Sequence, residues 1–100
     1  MAARLTTVER RGAGRAAAEE HGWQSTALLR PGLAVHILDL SPGGARLSSM
    51  ARLKPGGRAE LHLTGAARRV IAGRISRCRV IRLMPLCYEG AIVFDVRLDA

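Results

Sequence analysis

Two short groupings of polar residues could do chemistry in this chain of 100 residues. Asp39-Leu40-Ser41-Pro42-Gly43-Gly44 reads D-x-S-x-x-G, and Arg10-Arg11-Gly12-Ala13-Gly14-Arg15 contains R-x-x-x-R at Arg11 and Arg15. An ionised Asp accepts hydrogen bonds from amino and imino donors, such as those on the Watson–Crick edge of guanine, and Ser donates or accepts. Gly44 lets a backbone approach a ligand without a Cβ in the way. The same hexapeptide also suits an ordinary turn, with Asp39 or Ser41 bonding the backbone that follows. Two guanidinium groups can clamp phosphates and stack on, or bond to, the O6/N7 edge of guanine. Fifteen of the 16 basic residues are Arg, so an R-x-x-x-R pair also arises readily by chance and carries little by itself.

Catalytic patterns are absent. His21, His36 and His62 show no metal-ligand spacing with one another or with Cys78 and Cys87. His36, Asp39 and Ser41 lie too close together in one extended segment to form a triad. No Gly-rich loop is followed by Lys and Ser/Thr, which excludes a P-loop. Cys78 reads as a core residue and Cys87 as a strand-edge residue. The sequence therefore points to a binding protein, with no catalytic residue, no metal and no cofactor.

The formal net charge of +8 favours phosphates, nucleic acids or acidic protein faces as partners. Nucleic acid ranks last among them. Barrels that bind it usually display aromatic side chains for base stacking, and this chain has only Trp23, Tyr88 and Phe94, the last in a pattern that buries it. Two cysteines are too few for a disulfide scaffold. No secretory leader pattern opens the sequence, and no apolar run is long enough to span a membrane. The expectation is a cytoplasmic protein with reduced thiols and no membrane span.

The elements that must position these residues are short and extended. Residues 1–22 read as a flexible basic arm, with a short helix over Ala16 to Glu20, because few large apolar side chains anchor them. From Trp23 to residue 100 the texture changes to apolar runs between Pro/Gly turns. Strands are expected over 24–30, over Leu33 to Leu40 with both faces covered, and from Ala45 to Ser48. A half-buried strand follows, in which Ala59, Leu61 and Leu63 alternate with polar residues. Residues 69–83 form a long strand whose alternation slips, as a β-bulge near Ser76-Arg77 would cause. Ile92, Phe94, Val96 and Leu98 alternate in a last strand. Five to seven short strands suggest a small all-β barrel, since closure removes exposed edges.

Taken together, the arm with R-x-x-x-R and the D-x-S-x-x-G beginning 24 positions after Arg15 resemble the PilZ domain, a family of bacterial receptors for cyclic di-GMP. Leu53-Lys54-Pro55-Gly56 before an alternating strand, the stretch Arg74 to Val80, and Tyr88-Glu89-Gly90-Ala91-Ile92-Val93-Phe94 agree with that family's later strands. The resemblance covers residues 10 to about 96. It implies a six-stranded antiparallel barrel with a flexible N-terminal arm. It also implies that Arg11 and Arg15 hold the phosphates of cyclic di-GMP and meet a guanine, that Arg10 adds a phosphate contact, and that Asp39, Ser41 and Gly44 face the guanine from the barrel. The function it implies is a receptor that signals to an unidentified protein partner. The alternative is a degenerate barrel serving as an interaction module. The Gly-Ala-Gly spacer, the long stretch Ala16 to Gly22 before the first strand, and the absence of a helix after the closing strand depart from the family's usual pattern.

Overall fold

The computed structural model describes residues 17–30 and 32–98. A single 3-10 turn, Ala18–His21, leads into six strands: β1 Thr26–Arg30, β2 Leu33–Ser41, β3 Gly44–Ser49, β4 Arg58–Thr64, β5 Arg68–Leu83 and β6 Leu86–Phe94. They close an antiparallel barrel in the order β1-β2-β3-β6-β5-β4. The all-β class and the closed six-stranded barrel are as the sequence implied.

Alternation explains the barrel. On β3, Ala45, Leu47 and Ser49 point inward and are buried, while Gly44, Arg46 and Ser48 point outward. On β4, Leu61 and Leu63 are buried. Leu40, Leu47, Leu61, Leu63, Ile71 and Ile92 are the largest fully enclosed side chains, and they come from five of the six strands. Burial of each contributes roughly 1.5–3 kcal/mol, so an interior of aliphatic side chains holds the barrel with Phe94 as its only buried phenylalanine.

Three details of the sequence reading change. β2 is covered on one face only: Val35, Ile37 and Leu40 are buried while Ala34, His36 and Leu38 are exposed. A barrel has one interior, so alternation from Val35 and Ile37 turns Leu38 outward with Ala34 and His36, and the register shift between Ile37 and Asp39 changes the parity so that Asp39 also faces outward and Leu40 is buried. β6 begins at Leu86 and ends at Phe94, so Val96 and Leu98 lie beyond the sheet. Cys87 is buried within β6 rather than at a strand edge, while Cys78 packs against the core. In contrast, the slip expected near Ser76-Arg77 is present as a register shift between Ile75 and Arg77, which moves the inward positions from Ile71 and Ile75 to Cys78.

The chain on either side of the barrel fixes one of its ends. Ala18 is fully buried, and the 3-10 turn packs on β2. After β6 the chain folds back, and the Leu98 amide donates to the Pro42 carbonyl at 2.7 Å. The Phe94 amide donates to the Gly43 carbonyl at 2.9 Å. The Pro42-Gly43 turn between β2 and β3 is thereby pinned by one bond from the end of β6 and one from the segment that returns after it.

Candidate functional site

The two halves of the D-x-S-x-x-G grouping fall on paired strands. Ser41 closes β2 directly opposite Gly44, which opens β3, and Asp39 sits directly opposite Arg46. Asp39, Ser41, Gly44 and Arg46 all point away from the core. The Ser41 hydroxyl donates to the Gly44 carbonyl at 3.2 Å, so for Ser41 the turn-stabilising role read from the sequence is realised. Gly44 is required by the sheet itself: a Cβ there would drive into the backbone carbonyl of Ile92 on β6. Its smallness serves close strand packing, before any ligand is considered.

Around Asp39 the outer face carries a chain of charges that sequence reading missed. Arg46 Nε donates to Asp39 Oδ2 at 2.6 Å, and Arg46 Nη1 donates to Glu89 Oε2 at 2.5 Å. The other Glu89 oxygen accepts from Arg79, from Nε at 3.0 Å and Nη2 at 2.8 Å. Cross-strand register builds the row: Arg46 lies opposite Ala91 on β6, Ala91 opposite Arg77 on β5, and one step along Glu89 lies between Ser48 and Arg79. Neighbouring side chains on one sheet face are within reach of each other. The result alternates in sign across four strands: Asp39, Arg46, Glu89, Arg79.

Glu89 is the buried member of this row, its side chain only 4% exposed beneath the two arginines. The hydrogen bond from Arg79 holds its carboxyl below the ordinary glutamate range; burial opposes this, and the bond from Arg46 adds to the lowering. The bond to Asp39 and, after burial has opposed it, the bond to Glu89 raise the Arg46 guanidinium further above its already high value. Because the folded pKa of Glu89 lies below the unfolded one, its ionised form stabilises the fold fully above the ordinary glutamate range. That contribution is lost as pH falls through the lower folded value. Glu89→Gln is therefore expected to lower stability at neutral pH by roughly 1–3 kcal/mol. The Arg79 bonds contribute the smaller part, since that side chain is 69% exposed and screened by solvent. Urea midpoints measured across the acid range check this: parent and variant should converge at low pH, and a gap of constant size would refute it.

The remaining sequence-predicted residues divide plainly. Arg10, Arg11 and Arg15 lie outside the described residues. Among the described residues, no group of three or more His, Cys, Asp or Glu could hold a metal ion, and no helix is long and apolar enough to cross a membrane. A shallow hollow lined by Gln24, Thr26, His62, Thr64 and Arg69 lies over β1, β4 and β5. Comparison with family models, curated proteins and solved structures finds no match to this chain.

Proposed function

We propose that the chain is a receptor for cyclic di-GMP that reads a guanine at Asp39 and Ser41 and signals the bound state to a protein partner. The observation that carries this reading is where the arm enters the fold. β1 begins at Thr26 opposite His36 of β2, and the two strands run antiparallel. The chain before β1 therefore lies toward the later residues of β2, where Asp39 and Ser41 stand. The 3-10 turn Ala18–His21 packs on that same strand. Arg15 precedes Ala17 by two positions, a contour length of about 7 Å. An arm tethered there supplies guanidinium groups for phosphate at the end of the barrel that carries the guanine-reading pair.

In this reading Arg11 and Arg15 hold the phosphates and meet a guanine, and Arg10 adds a phosphate contact. Asp39 accepts from the base while Arg46 donates to its Oδ2 and so orients the carboxylate. Ordering the arm costs conformational entropy, which the charge-assisted contacts must offset. No group in the site suggests bond-making chemistry, so the role is binding and signalling without turnover. A cytoplasmic setting follows from the ligand.

A second reading has its own support. The Asp39–Arg46 pair gives Asp39 a place in the barrel's own cross-strand network, as expected of a degenerate barrel that serves as an interaction module without nucleotide. Calorimetric titration with cyclic di-GMP separates the two. A receptor binds, and the double variant Arg11→Ala/Arg15→Ala loses binding while the melting temperature stays near that of the parent. A module gives no heat of binding, or binds equally with and without the arginines.

A further inference from the structure

The end of the barrel opposite the Asp39–Ser41 turn carries an exposed apolar tip. β5 pairs with β4 only as far as Arg74, and β6 pairs with β3 only from Tyr88 onward. The pairs Arg82 with Cys87 and Leu83 with Leu86 therefore stand beyond the barrel wall, as a hairpin closed by Met84-Pro85. Leu83 is 78% exposed and Met84 88% exposed, with Val80, Ile81 and Leu86 also open to solvent. β3 ends at Ser49 opposite Tyr88, so the exposed Met50 follows at this same end.

Two properties of the tip say what covers it. First, it is amphipathic. Cross-strand register sets Val80, Leu83 and Leu86 on one face with Tyr88, and Arg79 and Arg82 on the other with Cys87 and Glu89, and Val80, Leu83 and Leu86 are exposed. An exposed apolar face backed by guanidinium groups suits the boundary of an anionic bilayer, where apolar side chains enter and cations stay at the headgroups. Second, its base is cationic. Arg77, Arg79 and Arg82 lie within ten residues that contain no acid, and between Glu60 and Asp95 the only acid is Glu89, which is held by Arg46 and Arg79. A second copy of so basic a chain would be repelled.

We infer that the β5–β6 hairpin is a docking device for an anionic lipid surface, with Leu83, Met84 and Leu86 entering the headgroup–acyl boundary and Arg77 and Arg82 meeting lipid phosphates. Apolar insertion and electrostatic attraction together are what hold a peripheral element at a membrane. The inference is independent of the nucleotide reading, which concerns the other end of the barrel.

The test is co-sedimentation of the full chain with phosphatidylcholine vesicles, with and without phosphatidylglycerol. The parent should bind the anionic vesicles, more weakly as salt rises, and leave the neutral ones. The N-terminal arginines also attract anionic lipid, so the tip variants are decisive. Leu83→Asp/Met84→Asp should lower the partition coefficient by about tenfold or more, and Arg82→Ala by about fivefold at low salt. Both should melt like the parent, because these side chains are outside the core. Absence of binding, equal binding to neutral vesicles, or full binding by the double variant would overturn the inference. So would a concentration-dependent dimer that the double variant abolishes, which would assign the tip to a second copy.

Discussion

Phe94→Ala is expected to destabilise the barrel by roughly 3–5 kcal/mol. The ring belongs to the core and is 7% exposed. Register sets Phe94 opposite Gly73, and the ring packs in the cluster of buried aliphatic side chains. Removing it leaves a cavity in that core. For a domain of this size each kcal/mol moves the melting temperature by about 4–8 °C. The adjacent Val93 is exposed, and Val93→Ala should change stability by less than about 0.5 kcal/mol. Chemical denaturation of both variants checks the pair; equal, small effects would place the Phe94 ring outside the core.

Gly44→Ala should be the most damaging of the changes within the D-x-S-x-x-G grouping, although it adds only a methyl group. The new Cβ would meet the Ile92 carbonyl, a backbone atom that no side-chain rotation can move. Relief requires β3 and β6 to separate where Gly44 faces Val93. Overpacking of this kind costs roughly 1–3 kcal/mol, and more where backbone must shift. Loss of ligand binding in this variant would follow from displaced strands, so it would say nothing about a contact at Gly44 itself. A denaturation midpoint equal to that of the parent would contradict the assignment of Gly44 to strand packing.

The fold was more legible than the site. Period-two alternation marked Leu61 and Leu63 on β4, and the change of parity between Ile75 and Cys78 marked the irregularity in β5, because inward and outward positions leave a direct trace in residue type. The reading failed where one face of a strand is apolar yet exposed. Leu38 and Leu40 made β2 look covered on both sides, and the bulge that turns Leu40 inward while Leu38 stays outward has no residue signature. Val96 and Leu98 prolonged the apparent alternation past Phe94, although the chain has already left the sheet to reach Pro42.

At the candidate site, Asp39 and Ser41 were visible as a local pattern. Arg46 and Glu89 were not, since 43 residues separate them and only the closed strand order joins them. One signal was available. Glu89 is the sole acid between Glu60 and Asp95 in a stretch crowded with arginine, and a lone acid among many cations marks a charge with a specific partner. The arginines of the arm offer no comparable handle, because their role depends on ligand contacts that spacing does not encode.

Base selectivity at Asp39 tests the receptor reading most directly. Asp39 is anionic and does not attract phosphate. In a site held by charge alone, Asp39→Ala would remove a negative charge and leave affinity unchanged or higher. In a guanine-reading site the same change removes an acceptor and leaves donors on the base without a partner, at a cost on the order of 1–3 kcal/mol. Ser41→Ala should cost less, since a neutral hydroxyl bonds more weakly than a carboxylate. The measurement is calorimetric titration of the parent and Asp39→Ala with cyclic di-GMP, cyclic di-AMP and a short single-stranded DNA at two salt concentrations. The account predicts preference for cyclic di-GMP, with weak salt dependence, lost in Asp39→Ala. Equal binding of the three ligands with steep salt dependence, or tighter binding by Asp39→Ala, would contradict it.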